Sequence, residues 1–521
     1  MSKKARGLPA WAIACLLCCA GPVLAQTDPA TGPLSVIDWL EAQPHSIRPD
    51  AAPERFEAPV ATSVAVPEIT VSPLGEGSPR AIGLVPASIT GLPNDLWAGS
   101  TAGNVIKLLD DLPDLHLPAA RALLYTVLLA EALGPEGGAK AADALALARV
   151  EKLVELGALA PAMSLIEQAG VSTSPAHFDL WMQISLLTGN EDRACEMLSR
   201  LPHLTNDYGV RILCDARSSN WEDAALTLGS AQALGLMPQD RLDLIDRFLH
   251  PDVYEGATPL VPPRKTDPLS FRLFEAIGEP LSTRTLPRAY AVADLRDIAG
   301  WKAQLEAAER LTRAGALPDN RLLGIYTDRE PAASGGIWDR VEALQRFDTA
   351  LGTRSIDAVT KTLRPAWEAM QEAELEVAFA TLFGDALSQI PLTGSSAELA
   401  YEIRLLSPAY EAAAASPPDT ADAPFLAAIA RGEAPETRAE DAIATAIVAA
   451  IANPTPVQPL LNAASAQELG ETILRCLAML NEGAEGNAAA LRDALSTLRA
   501  LGLEDTARRA SLQILLLERD I

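Results

Sequence analysis

One loop of this chain has residue types suited to ligand chemistry, and it spans residues 326–338. A serine and two glycines stand before an expected helix, where free backbone N–H groups can bind an anion. An arginine and a tryptophan flank them and would suit an anion or a sugar. Capping of the helix by the serine, with a tight turn at the glycines, explains the same residues without a ligand. The candidate ligand residues are Arg329, Ser334, Gly335, Gly336 and Trp338.

Residues 134–140 come close to a phosphate-binding loop but fail its requirements. Ala139 stands where the motif needs glycine, and Ala141 stands where it needs a metal-binding hydroxyl. The preceding segment has the pattern of a helix, whereas the motif follows a strand. We interpret residues 134–140 as a turn between helices and expect no cofactor.

The histidines do not form a metal-binding or catalytic pattern. The five of them are scattered, without a His-Glu-x-x-His motif or paired Cys/His spacing. A Gly-x-Ser-x-Gly nucleophile motif is also missing from the sequence. We therefore expect neither a metal site nor catalytic residues, and a non-enzymatic protein is favoured.

The cysteines predict one disulfide. Cys195 falls early in an expected helix and Cys214 falls near the middle of the next, where stacked helices would face each other. In an oxidising compartment a bond between them would close a loop of about 20 residues. Cys476 would then be a buried thiol; three buried thiols are the alternative.

Residues 1–25 have the features of a secretory signal peptide. Three basic residues precede an apolar run from Leu8 to Ala20, and residues 23–25 suit cleavage before Gln26. The apolar run is short for a membrane anchor, and the residues before the nearby cysteines are poor for lipidation. We expect a periplasmic or secreted protein with no transmembrane segment beyond the signal peptide.

The chain is acidic. Its formal net charge is −26, and removal of the three positive charges in residues 1–25 would leave −29. Nucleic acids and anionic lipids need a basic surface, so neither is an expected partner. The charge suits either a basic protein partner or a well-solvated surface.

Residues 26–95 differ from the rest of the chain in composition. The span from 26 to 93 holds eleven prolines and predicts a largely disordered tether. Within it, residues 34–41 predict a short helix, with Ile37, Trp39 and Leu40 as candidate partner-binding residues. This helix would dock into a groove of a partner or pack back onto the chain's own helices.

A helix–turn–helix pattern recurs in residues 150–234. The segments 157–162, 189–194 and 219–224 each place a small turn residue five positions before an alanine, at intervals of 32 and 30 residues. An apolar residue follows each alanine by four positions. Such a hairpin cannot bury its apolar face alone, so neighbouring hairpins must stack.

The second and third of these segments resemble the turn and second helix of tetratricopeptide repeats. Phe178 and Tyr208 fall where that family keeps a large residue in its first helix. The spacing departs from the family's 34 residues, and its small residue and second aromatic are missing from the first helix. The resemblance implies an α-solenoid of stacked helical hairpins that serves as a protein-interaction scaffold.

The remaining chain is predicted to be helical in blocks. We expect helical blocks at 96–250, 269–415 and 416–521, with a proline-rich linker or long crossing loop at 251–268. Residues 357–383 predict one long helix, kinked by its proline. Acidic residues at 372, 374 and 376 would form a solvated face of that helix.

The favoured function is an all-α scaffold or adaptor that binds another envelope protein; a small-molecule ligand is not expected. The alternative is a cell-wall glycan-binding module or glycan-active enzyme. Residues 181–184 resemble a short motif of exported lytic transglycosylases. However, Glu167 is followed by Gln168 instead of serine, and Tyr290 is not followed by asparagine. Core packing of a repeat helix is the better explanation of residues 181–184.

Overall fold

The computed structural model describes residues 81–436, 439 and 441–517, which are mostly helical. In this part of the chain the only extended pairing consists of isolated bridges, such as Ile82 with Ala132. The helices are α1 (Ala87–Thr90), α2 (Ala102–Asp110), α3 (Pro118–Leu129), α4 (Gly138–Leu156), α5 (Leu159–Ala169), α6 (Pro175–Thr188), α7 (Glu191–Arg200), α8 (Tyr208–Arg217), α9 (Trp221–Leu234), α10 (Gln239–Leu249), α11 (Pro268–Ala276), α12 (Ala291–Asp294), α13 (Trp301–Arg313), α14 (Asp319–Thr327), α15 (Ile337–Thr353), α16 (Ile356–Gln371), α17 (Glu376–Leu387), α18 (Ser395–Leu406), α19 (Tyr410–Ala414), α20 (Ala423–Arg431), α21 (Ala442–Ala452), α22 (Gln458–Ser465), α23 (Leu469–Ala484), α24 (Ala488–Ala500) and α25 (Glu504–Leu516).

The three repeat turns adopt the left-handed backbone conformation. Gly157 and Gly189 have φ of 85° and 77°, and Ser219 has φ of 63° although it is not glycine. Glycine adopts this conformation without the steric cost of a Cβ atom. The turns end α4, α6 and α8 and return the chain as α5, α7 and α9.

The residues predicted to lie between the paired helices are buried. The alanines five positions after each turn residue are fully inaccessible, and the apolar residues four positions further on are also in the core. Small side chains let two helix backbones approach closely, so each pair packs as a hairpin. These residues are Ala162, Ala194, Ala224, Ile166, Leu198 and Leu228.

Neighbouring hairpins pack against each other. From α4 to α11 each helix contacts the next, and α4 also contacts α6 while α8 contacts α10. The apolar face of one hairpin is therefore covered by the next, as helical repeats require. The structure confirms a mostly helical protein with helices packed in pairs.

The last helices pack against the first. Helix α23 contacts α2 and α3, and α25 contacts α3. The N–H of Gly470 in α23 donates to the carbonyl of Leu96 at 3.0 Å, and the N–H of Gly99 donates to the carbonyl of Gln467 at 2.9 Å. The two ends of the described chain are thus held together, with their helices sharing one core.

Two hydrophobic cores underlie this packing. The larger draws on residues from 82 to 293 and again from 401 to 512. The smaller draws on residues from 291 to 406, together with Leu517. The larger core therefore combines helices from both ends of the described chain.

Residues 81–95 belong to the helical fold, although their proline content suggested a tether. Ile82, Val85 and Leu92 are buried in the larger core. The guanidinium of Arg149 donates to the carbonyls of Ile82, Leu128 and Ala130 at 2.7–2.9 Å. This buried cation fastens the start of the described chain to the end of α3.

The expected long helix at 357–383 is two helices. The break falls at Glu374, whose φ is 55°, and Pro365 lies inside α16 without ending it. Of the expected solvated face, Glu372 and Glu374 are exposed, but Glu376 opens α17 and is buried. The helical periodicity continues on both sides of the turn, which hides the break in the sequence.

The proline-rich segment 251–268 is fastened to the adjacent helices. The N–H of Leu260 donates to Glu279 at 2.8 Å, and Arg247 bridges Glu279 and the carbonyl of Thr258. The hydroxyl of Tyr290 donates to the carbonyl of Thr266 at 2.6 Å. The segment is therefore a crossing loop with specific contacts, which was one of its expected forms.

Candidate partner-binding surfaces

The second repeat is tied to the third by covalent and ionic links. Cys195 of α7 and Cys214 of α8 form the predicted disulfide, and Cys476 is a buried free thiol as expected. Burial raises the pKa of the Cys476 thiol to about 12. The prediction of both features is confirmed.

A buried carboxylate reinforces the same contact. Glu191, in the first turn of α7, is fully buried and accepts from Arg217 of α8 and Arg272 of α11, each at 3.0 Å. A charge in the protein interior needs such partners, because removal of one leaves it uncompensated. The disulfide and this ion pair together hold α7, α8 and α11 in one arrangement.

A pocket of about 430 Å³ lies between α5, α6 and α7, and we call it the α5–α7 pocket. Its apolar lining comes from Val171, Trp181, Met197 and Leu201. Trp181 is buried, and its indole N–H has no hydrogen-bond acceptor among the described residues. Such a cavity can accept one large apolar side chain.

Charged side chains surround the α5–α7 pocket in two pairs. Arg193 pairs with Glu167 at 3.1 Å, and Arg200 pairs with Glu196. Both arginines are exposed, and a guanidinium has five N–H donors, so each can bind a further carboxylate. The pocket therefore suits an apolar side chain that is flanked by acidic residues.

Helix α9 presents an uncharged face to solvent. It packs chiefly against α8 and α10, which leaves Leu226 at 70% and Leu234 at 71% exposure. No charged residue occurs between Asp223 and Asp240. In a chain of net charge −26, an uncharged and apolar helix face is a candidate protein-binding surface.

The loop after α14 is anchored at both ends by one carboxylate. The side chain of Glu309 in α13 accepts from the hydroxyl of Tyr326 and pairs with Arg340 of α15, whose Nε lies 2.8 Å from Oε1. Burial, together with the charge of Glu309, raises the pKa of Tyr326 well above its usual value. Tyr326 therefore stays neutral and donates this hydrogen bond.

The predicted ligand residues of this loop do not converge on one point. Arg329 lines a cleft of about 500 Å³ and pairs with Asp328 at 3.0 Å. Trp338 instead packs against Trp301, with ring centroids 5.3 Å apart. The cleft is thus lined by the arginine without the tryptophan.

The glycines of the loop act in the turn as expected, but the serine does not cap the helix. Gly336 occupies the N-cap position of α15, where no side chain caps the helix. The N–H of Gly335 donates to Asp339 at 2.8 Å, so one N–H expected to bind an anion has a partner within the protein. The expected capping by Ser334 is wrong, because Ser334 lies two residues before the N-cap.

The other predicted segments lie outside the described residues. These are the signal peptide at 1–25 and the candidate helix at 34–41 with Ile37, Trp39 and Leu40. The α5–α7 pocket and the α9 face were not predicted as sites. The charge-free run from 224 to 239 is the sequence signal that could have identified the α9 face.

Among the described residues no group of three or more His, Cys, Asp or Glu side chains is placed to hold a metal ion. In the same part of the chain no helix combines the length and apolar character needed to cross a bilayer.

Comparison with family models, curated proteins and solved structures finds no match for this chain.

Proposed function

We propose that this chain is an exported scaffold of tetratricopeptide-like helical hairpins that binds another protein of the cell envelope. The observation that carries the proposal is the α9 face, where Leu226 and Leu234 are exposed on a surface without charge. Apolar surface of this kind on an acidic protein is a common mark of a protein interface. The paired hairpins before it supply a rigid support.

Export is supported by two observations. Residues 1–25 have the pattern of a signal peptide, and Cys195 is bonded to Cys214. Disulfides persist in oxidising compartments and are rare in the cytosol of most organisms. A periplasmic or secreted location fits both observations.

The proposal is tested by photocrosslinking in cells. A photoreactive amino acid at position 226 is expected to crosslink to a defined partner. The matched control is position 298, because Ile298 is also 70% exposed. Leu226→Asp should weaken capture of the same partner from envelope extracts at least tenfold. Equal crosslinking at 226 and 298, or unchanged capture by the variant, would contradict the proposal.

The alternative function, glycan binding or cleavage, depends on the cleft beside the loop after α14. Asp328, Glu330 and Asp348 line it, which places carboxylates around one cavity. Asp328 is exposed to solvent, however, and Trp338 packs against the smaller core and is not part of the lining. Sugar sites use an aromatic face and a desolvated acid, so the scaffold is the better supported function. Binding of purified glycan strands that is lost in Asp348→Asn would reverse this preference.

A further inference from the structure

The described chain begins beside the α5–α7 pocket. The N–H of Gly83 donates to the side chain of Gln168 in α5 at 2.8 Å, and the adjacent Glu167 lines the pocket. Ile82 and Val85 are buried on either side of this contact. Any segment that precedes residue 81 is therefore attached close to the pocket.

The segment 34–41 has the chemistry that the pocket suits. Val36, Trp39 and Leu40 would share one face of a helix, since they are spaced by three and four residues. Asp38 and Glu41 flank this face. An aromatic side chain between two carboxylates matches an apolar cavity whose two rim arginines, each paired with one glutamate, keep further N–H donors for a carboxylate.

We infer that the α5–α7 pocket binds the chain's own segment 34–41, with Trp39 in the cavity and the acidic side chains at Arg193 and Arg200. The docked segment covers the pocket and excludes other peptides of the same type. It is an internal ligand, and it leaves the α9 face free.

The length of the connection favours this occupant over one from another molecule. A random coil as long as residues 42–80 would have a root-mean-square span of about 35 Å, enough to reach a pocket next to its attachment. A tether of this kind gives an effective concentration on the order of millimolar. Even a weak local affinity therefore keeps the segment bound, whereas a separate molecule would need a higher affinity.

The test is hydrogen–deuterium exchange of the chain from Gln26 to Ile521. Peptides covering 34–41 should exchange at least tenfold more slowly than the same synthetic peptide alone. Trp39→Ala and Arg200→Glu should each abolish this protection and speed exchange at the end of α7. The matched control is Arg346→Glu, because Arg346 is 70% exposed against 72% for Arg200 and also pairs with a glutamate four residues earlier.

Three outcomes would overturn the inference. Unprotected residues 34–41 would show that the segment does not dock. Protection that survives Arg200→Glu would place the docking site elsewhere on the molecule. Protection that rises between micromolar and hundred-micromolar protein would assign the occupant to a second copy. The experiment needs no partner, so its result is separate from that of crosslinking at position 226.

Discussion

The guanidinium of Arg149 lies in the core and binds three backbone carbonyl groups. Burial lowers its pKa to about 10, so the side chain remains charged at neutral pH. A buried charge is costly, and the hydrogen bonds to carbonyls near the end of α3 offset this cost because that helix end is negative.

We expect Arg149→Met to destabilise the protein. Methionine fills similar space but leaves the carbonyls of Leu128 and Ala130 without the guanidinium donor, and that of Ile82 with the N–H of Ala132 alone, which costs about 2–4 kcal/mol in the free energy of unfolding. Urea unfolding followed by circular dichroism measures this value. Arg346→Met, at an exposed position, should change it by less than about 0.5 kcal/mol. Similar effects of both substitutions would show that the carbonyl contacts contribute little.

Glu504 predicts a pH dependence of stability. Burial acts to raise the pKa of this carboxyl, but hydrogen bonds and charges from Arg499 and Arg508 outweigh it and hold the pKa below its usual value. The unfolded chain then binds the proton more readily than the folded one. The stabilisation is complete above the unfolded pKa of about 4.3 and is lost as the pH falls through the folded value.

Glu504→Gln should therefore lower stability at pH 7 and flatten its decline below about pH 4.5. Thermal unfolding between pH 3 and 7 measures this slope. The exposed Glu372→Gln is the control and should leave the slope as in the unmodified chain. If stability falls with decreasing pH equally steeply in Glu504→Gln and in Glu372→Gln, Glu504 does not contribute to the pH dependence.

The repeat hairpins are the elements that sequence reasoning predicted best. Each depends on adjacent residues, since a turn residue such as Gly189 and an alanine such as Ala194 determine where the chain reverses and which face packs. The break at Glu374 was missed because no glycine or proline marks it. Trp338 was placed in a ligand site because its partner Trp301 is distant in sequence.

At the level of elements, the bond between Cys195 and Cys214 joins α7 to α8. In the loop-entropy treatment, closing a loop of this length stabilises the fold by about 3 kcal/mol. Reduction, or replacement of both cysteines by alanine, should lower the free energy of unfolding by this amount. Chemical unfolding with and without reductant measures it.

The double cysteine variant supplies the control for reduction. Its free energy of unfolding should be the same with and without reductant, because the remaining cysteine, Cys476, is a free thiol. The prediction is contradicted if the variant without the disulfide unfolds at the same denaturant concentration as the native chain. In that case Glu191 and its two arginines would be enough to hold α7 against α8.

The contact between the two ends is a property of the whole molecule. It places Trp97 against Gly470 of α23, and Gly99 against the carbonyl of Ala466. The residues of each contact are about 370 positions apart in the sequence. No local pattern encodes such a contact. The sequence therefore predicted helices towards both ends without predicting that the ends meet.

Glycine is required at this contact because there is no space for a side chain. A Cβ atom on Gly470 would lie 2.2 Å from the ring of Trp97, which is fully buried. We therefore expect Gly470→Ala to cost about 1–3 kcal/mol by overpacking. Hydrogen exchange should accelerate in α2 and α23 more than in α15.

The matched control is Gly324→Ala in α14, where nothing lies within 4 Å of the added atom. That substitution should stabilise by about 0.5–1 kcal/mol through helix propensity. The two changes add the same atom to a helix and have opposite expected signs. Stabilisation by both would mean that the ends of the chain do not pack as described.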